Sequence, residues 1–319
     1  MNLRHFWYRF RFRYGQHLPL RSPVDVSLEL ASTCNQWCTY CYFADPDNLP
    51  FQRGFMKTAT AEEILFQAAE LRVPAVKFNW KGESTLHPDF RKITGYARAL
   101  SYHYPGAFID RLSNSNFKFA TSREDIFEGL CHQTKVKVSF DSFDKKVFET
   151  QRAGGNWDLT YANLKKFHDH PLRKETGTKL VIQAVRTTLN ADEDIAGRAA
   201  IEFPDAEISI RDMVAGRVEK DVSALEHRAR DLSGRQSCLQ AHVRVIFNHD
   251  GLAAPCCPSI REDLIIGDIR KNSLYEIFNS AQAKALRKSL KDKSAFKLDP
   301  CRTCSSHESY ANFKPSWNS

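Results

Sequence analysis

Apolar and polar positions follow two different periods between residues 24 and 213 of the 319-residue chain. Runs rich in β-branched and other apolar residues predict strands, and runs with apolar residues three and four positions apart predict helices. The predicted strands are 24–33, 75–83, 107–116, 135–142, 179–190 and 206–213. The predicted helices are 60–73, 87–100, 122–132, 158–170 and 192–203. Because this alternation indicates a parallel sheet, and six units are too few for a closed barrel, we predict an α/β fold with a partial, TIM-like (β/α)6 barrel over 24–214.

The alternation of strands and helices ends near residue 214. The charged segment 215–236 is predicted to link the barrel to a small cysteine-bearing domain, 237–308. In this domain the pattern predicts a hairpin that turns at Asp250-Gly251 and an amphipathic helix over 273–290. Residues 309–319 are expected to form a loosely held tail.

The N-terminal segment, 1–23, carries aromatic residues and arginines in alternation. In Arg9-Phe10-Arg11-Phe12-Arg13-Tyr14 the period is two, which is typical of a half-buried strand with its rings on one face. The alternative is a phosphate-binding edge for a nucleotide or nucleic acid. Five arginines and no acidic residue lie in this part of the chain, so it accounts for most of the formal charge of +8.

Composition sets the class of protein. The apolar content of 42% is enough for one large or two smaller hydrophobic cores. The sequence has neither a run of about 18 apolar residues nor the apolar segment of a secretory signal, so we expect no membrane span and no export. Nine cysteines fall in clusters, which favours metal binding in a reducing cytoplasm over a disulfide framework.

The first cysteine cluster lies directly after the first predicted strand, where parallel α/β folds place their active sites. Its spacing is Cys34-x3-Cys38-x2-Cys41. Thiolates select zinc, copper(I) or iron–sulfur clusters. Three thiolates can hold a cubane iron–sulfur cluster with one iron left open, and the alternative is a zinc site with a distant fourth ligand.

This cluster resembles that of the radical S-adenosylmethionine (radical SAM) superfamily, and Tyr40 before its last cysteine fits the same pattern. Lys81-Gly82-Glu83-Ser84, at the end of the second predicted strand, resembles the Gly-Gly-Glu-Pro element of that family. The resemblance implies a [4Fe–4S] cluster whose open iron binds SAM, with backbone around Gly82 and Glu83 holding the methionyl amino group. It also implies that Ser139 meets the ribose and that Arg186 pairs with the methionyl carboxylate. A salt-bridged or solvent-facing position is the alternative for both.

The second cysteine cluster resembles the SPASM/twitch extension of radical SAM enzymes. The resemblance implies one auxiliary [4Fe–4S] cluster with every iron ligated. Its four implied ligands are Cys238, Cys256, Cys301 and Cys304. Cys257 is then a buried thiol or an alternative ligand, and a structural zinc site is the alternative for the whole set. Cys131, on the apolar face of a predicted helix, is interpreted as a core residue.

These features predict a radical SAM enzyme that abstracts a hydrogen atom from a small polar metabolite, a sugar-like molecule or a peptide. Oxidation, epimerisation and crosslinking are all compatible outcomes, and the sequence identifies no catalytic residue. The resemblance also implies an external electron donor of the flavodoxin or ferredoxin type. Two alternatives remain: radical modification of a nucleotide or nucleic acid, and a non-catalytic zinc-binding protein.

Overall fold

The computed structural model describes residues 3–213, 223–225, 238–259, 262, 264–297, 300–302 and 304. The predicted tail and most of the predicted linker lie outside these residues. Among the described residues, no helix is both long enough and apolar enough to cross a bilayer.

The strands of the described chain form one continuous sheet. They are β1 Asp25–Leu28, β2 Ala75–Phe78, β3 Asp110–Ser115, β4 Lys135–Ser139, β5 Lys179–Arg186, β6 Glu207–Asp212, β7 Arg244–Phe247, β8 Leu252–Ala254 and β9 Gly267–Asp268. Their order is β6-β5-β4-β3-β2-β1-β7-β8-β9. Neighbours from β6 through β1 to β7 are parallel, and β8 and β9 are antiparallel additions. The sheet does not close on itself, which confirms the partial (β/α)6 barrel.

The helices follow the strands in the expected alternation. They are α1 Leu3–Tyr14, α2 Thr58–Glu70, α3 Phe90–His103, α4 Glu124–Cys131, α5 Lys145–Gln151, α6 Trp157–Asp169, α7 Pro171–Thr176, α8 Ile195–Glu202, α9 Gln240–Val243, α10 Leu274–Phe278 and α11 Ala281–Lys291. Pro171 stands in the first turn of α7, where its missing N–H costs nothing. The hydrophobic core lies between the helices and the outer face of the sheet, and it includes Cys131, as predicted.

The two faces of the sheet differ in chemistry. Val76, Val136 and Val138 point outward into the core, so the alternate residues of the same strands point into the barrel. That inner face carries polar and charged side chains. Ser27, Lys77 and Lys135 lie in one row across the strands, and Lys137 lies on the same face two residues further along β4. The inside of this barrel is therefore suited to a polar ligand, unlike the apolar interior of a closed barrel.

The predicted N-terminal strand is wrong. Residues 3–14 form helix α1, and none of its residues is fully buried. A period of two also places residues four apart on one face of a helix, and the Phe10 and Tyr14 rings lie 4.9 Å apart. The helix lies against the N-terminal ends of the strands, where the Tyr8 hydroxyl donates to Asp110 at 3.3 Å.

The cysteine-bearing region extends the barrel sheet because β7 pairs in parallel with β1. The hairpin of β7 and β8 is present as predicted. Gly251 has φ +87° in its turn, a conformation that favours glycine. The predicted single helix over 273–290 is instead two helices, because the chain turns at Asn279 and Ser280 starts α11 as its N-cap.

Candidate functional site

The loop that carries the first cysteine cluster is anchored to the chain at the end of α5. Residues 32–41 leave the carboxyl end of β1. The Trp37 N–H donates to the Ala153 carbonyl, and the Thr39 N–H donates to the Gln151 carbonyl, each at 2.9 Å. These bonds hold the loop over the carboxyl edge of the sheet, at the end where ligands of parallel α/β proteins bind.

The three thiols lie close enough to influence one another. Burial raises the pKa of Cys34 and Cys41, and it raises the pKa of Cys38 to about 12. A negative charge on a neighbouring sulfur raises the pKa of Cys34 and Cys38 further. The thiols therefore stay protonated at neutral pH without a metal, and metal binding there must release protons.

Gly82 and Glu83 lie directly against this loop. The Glu83 N–H donates to the Thr33 carbonyl at 2.9 Å. A Cβ atom on Gly82 would stand 2.3 Å from the Thr33 oxygen and 2.4 Å from the Ala31 oxygen, so only glycine fits. The Glu83 carboxylate is buried and accepts hydrogen bonds from Thr85 and from the Asn116 N–H. Its backbone, not its side chain, is therefore the part that can serve a ligand.

A buried network that sequence reasoning missed stands behind the loop. Arg152 donates to Asp141 at 2.9 Å and to the Cys38 sulfur at 3.8 Å. The Tyr40 hydroxyl donates to the same carboxylate. Burial opposes the charge on Arg152, but Asp141, Tyr40 and Cys38 together outweigh it, and the pKa of Arg152 is raised. The network thus places a permanent cation beside one candidate metal ligand.

Ser139 and Arg186 stand at the carboxyl ends of β4 and β5. Ser139 is buried and lies in register with Gln183 of β5. The Arg186 Nε is buried without a hydrogen-bond partner among the described residues. Such an atom needs an acceptor that the described chain does not provide, and a ligand carboxylate would be suitable.

The second cysteine cluster surrounds Cys256. Burial raises its pKa, and charges on Cys238, Cys257, Cys304 and Cys301 raise it further. The Cys257 sulfur instead accepts a hydrogen bond from Arg244 at 3.1 Å, and its N–H donates to Gln240 at 3.2 Å. The arrangement supports the choice of Cys256 as the ligand, with Cys257 engaged elsewhere.

Both sets fit iron–sulfur clusters by the chemistry of their donors, since each is made of buried or half-buried thiols. Within the described ranges, no three His, Cys, Asp or Glu side chains converge on one position for a single metal ion. A cubane cluster requires no such convergence, because each thiolate binds its own iron.

Comparison with known proteins agrees with this geometry. The SPASM iron–sulfur cluster-binding domain matches residues 238–305. SuiB of Streptococcus suis, solved with bound S-adenosylmethionine, superposes on 91% of this chain and 74% of its own with a TM-score of 0.65 and 16% identity. The chain therefore shares the fold of SuiB and carries a SPASM match at residues 238–305. Its SPASM domain contains all four cysteines predicted to hold the auxiliary cluster.

Shorter matches link the chain to curated relatives. PqqA peptide cyclase of Xanthomonas campestris pv. campestris is 37% identical over 81 residues, which are 25% of this chain and 21% of that protein. A tRNA-2-methylthio-N(6)-dimethylallyladenosine synthase of Dehalococcoides mccartyi is 37% identical over 57 residues, 18% of this chain and 12% of that protein. The matches therefore span about a fifth or less of the relatives' length.

Proposed function

We propose that the protein cleaves SAM reductively and removes a hydrogen atom from a peptide. The observation that carries the proposal is the three-cysteine loop held against Gly82 at the carboxyl edge of the sheet. When bound there, a [4Fe–4S] cluster would supply the electron that breaks SAM into methionine and a 5′-deoxyadenosyl radical.

The residues of the chain would bind and orient the cofactors. Cys34, Cys38 and Cys41 would hold the first cluster by three of its irons. The backbone at Gly82 and Glu83 would receive the methionyl amino group, and the Arg186 guanidinium would pair with the carboxylate. Tyr40 and Ser139 complete the proposed cofactor site, at the adenosine side of SAM.

The second cysteine set would have a different role. Cys238, Cys256, Cys301 and Cys304 would ligate every iron of one auxiliary cluster, so no iron would be left for a substrate. We therefore assign this cluster to electron transfer or to bracing of the barrel. An external donor of the flavodoxin or ferredoxin type would reduce the protein.

A peptide substrate is supported by two of the similar proteins. PqqA peptide cyclase is a relative by sequence, and SuiB has also been solved bound to its precursor peptide SuiA. Oxidation, epimerisation and crosslinking of a peptide all begin with the same hydrogen abstraction, and the proposal stops at that shared step.

Nucleic acid is the second candidate substrate. The tRNA-modifying relative favours it, as does the position of Arg9 and Arg13 on the exposed side of α1 beside Trp7 and Tyr14. The matched part of that relative is short, however, and α1 stands at the opposite end of the strands from the cysteine loop. We therefore rank it below the peptide.

Anaerobic reconstitution tests the proposal. With SAM and a reductant, the protein should form 5′-deoxyadenosine, and the Cys34→Ala variant should form none because its first cluster lacks a ligand. Deuterium transferred into 5′-deoxyadenosine from labelled peptides or labelled RNA then identifies the substrate class. A protein that contains zinc and no sulfide would contradict the proposal and favour a non-catalytic zinc protein.

A further inference from the structure

A lysine inside the barrel lies deeper than the proposed cofactor residues at the carboxyl edge of the sheet. Lys137 is on β4, one inner-face position below Ser139, and its neighbours Val136 and Val138 point outward into the core. The ladder puts Lys137 opposite Asn114 of β3. Its side chain therefore points into the polar interior, deeper than the carboxyl edge.

The charges around Lys137 are mostly positive. Burial is the largest cause that lowers the pKa of Lys137, to about 8. The positive charges of Arg211, Lys77 and Lys135 also lower it, and the negative charge of Asp110 opposes them. Lys77 and Lys135 already have carboxylate partners in Asp25 and Glu207.

Asp110, the remaining acidic neighbour, already accepts hydrogen bonds from Tyr8 and Thr134. Lys137 itself forms no hydrogen bond or ion pair with any residue in the described part of the chain. Lys137 is half-buried. An ammonium with reduced access to water and no counter-charge is unfavourable, and a bound anion would compensate it.

Two side-chain amides stand at the same level of the interior. The Oδ1 atoms of Asn79 and Asn114 are buried without a hydrogen-bond partner in the described chain. Asn79 follows β2, on the same face as Lys77, and Asn114 faces Lys137 across the ladder. Buried amides are ordinarily paired, so these groups are suited to the N–H and C=O groups of a ligand.

We infer that Lys137, Asn79 and Asn114 form a binding site for a carboxylate-bearing peptide segment of the substrate. The inference rests on the proposed function and narrows its substrate class. Lys137 would pair with an Asp or Glu side chain or with a C-terminal carboxylate, and the two amides would bind the adjoining backbone. One uncompensated ammonium beside two neutral amides matches the single charge of a carboxylate better than the double charge of a phosphate.

Binding of matched peptides tests the site. The probes are N-acetyl-Gly-Glu-Gly-amide, its neutral Gln analogue, and N-acetyl-Gly-Gln-Gly with a free carboxyl group, added to the reconstituted full-length protein with SAM. We expect at least one carboxylate probe to bind about tenfold or more tightly than the neutral one, the scale of one charge-assisted hydrogen bond. The two acidic probes distinguish a side-chain carboxylate from a C-terminal one.

Substitutions distinguish binding of the carboxylate by Lys137 from a general effect of positive charge inside the barrel. Lys137→Met should remove the preference for a carboxylate, and Lys137→Arg should keep most of it. Lys135→Met is the matched control, since Lys135 lies on the same strand face but is paired with Glu207, and it should keep the preference. Equal binding of all three probes, or an unchanged preference in Lys137→Met, would overturn the inference.

SAM is the remaining competitor for Lys137. If Lys137→Met weakens SAM binding as much as peptide binding, the ammonium serves the cofactor and the inference is wrong. The formation of 5′-deoxyadenosine is measured separately. A protein that discriminates the probes through Lys137 but does not cleave SAM would refute the proposed function and support the carboxylate site.

Discussion

At the scale of single residues, spacing along the chain decides what can be predicted. Cys34, Cys38 and Cys41 fall in one loop, so their chemistry is visible in eight consecutive letters. Arg152 and Cys38 are 114 positions apart and meet only because α5 ends beside the loop. A lone arginine in a sequence has no property that distinguishes this role from a surface position, and the contact therefore required the structure.

The Arg152→Met variant tests the buried network behind the cysteine loop. The change leaves the Asp141 carboxylate, which is fully buried, without its cationic partner, and we expect a loss of about 3–5 kcal/mol in the free energy of unfolding. It also removes a donor to the Cys38 sulfur. Because hydrogen bonds to cluster sulfurs favour the reduced, more negative state, we expect a lower reduction potential for the first cluster, measured by a redox titration followed by electron paramagnetic resonance.

Arg173→Met provides the matched control for this variant. Arg173 is also buried and ion-paired, with Asp205 at 2.6 Å, but no contact to either cysteine cluster is among those the structure shows for it. It should lower stability without changing the potential. The same potential shift in both variants would show that general loosening, and not the bond to Cys38, sets the potential.

At the scale of elements, the strands and helices of the barrel were predictable because their hydrophobic periods were long and uniform. The N-terminal segment was not, since alternating aromatic residues satisfy both a strand and a helix with rings four residues apart. The burial of individual side chains would have distinguished a strand from a helix, but it depends on the contact of α1 with Lys77 and Arg244. The charged groups of these residues lie 5.6 and 5.9 Å from the Phe12 ring. That contact joins parts of the chain far apart in sequence.

The prediction at this scale is for Gly82→Ala. The added Cβ collides with two backbone oxygens of the cysteine loop, and backbone cannot yield as a flexible side chain does. We expect the variant to lose about half of its iron and sulfide, the share of the first cluster, and to keep its far-ultraviolet circular dichroism.

Gly177→Ala is its control. Gly177 has φ +67° with no atom within 4 Å of a new Cβ, so the change strains the backbone by about 1–2 kcal/mol without touching the loop. It should lower the melting temperature and leave the iron content unchanged. Full iron content in Gly82→Ala would mean that the loop has room to move.

At the scale of the whole molecule, the sheet joins the two cysteine regions into one structure. β1 carries the first cysteine loop and pairs with β2 on one side and with β7 on the other. The sequence predicted a linker and a small cysteine-bearing domain, but the end of the strand–helix alternation near residue 214 gives no sign that a later strand returns to the first one. Pairing between distant segments is the part of topology that periodicity does not encode.

A chain that ends at residue 213 tests this connection. Without β7, the edge of β1 is left with unpaired N–H and C=O groups, which are a template for association. We expect the truncated protein to aggregate in size-exclusion chromatography. The full-length Cys238→Ala and Cys256→Ala double variant, which keeps β7, should elute as the wild type does, and a well-behaved truncated protein would show that β1 does not depend on β7.

The pairing of β1 with β7 also has a consequence for biosynthesis. β1 leaves the ribosome early, but its partner starts only at Arg244. At ordinary elongation rates the free edge of β1 waits roughly 10–40 s for it. During that time the first cysteine loop is attached to a strand with one side unpaired. The nascent chain is thus most exposed to misassembly before its SPASM region is made.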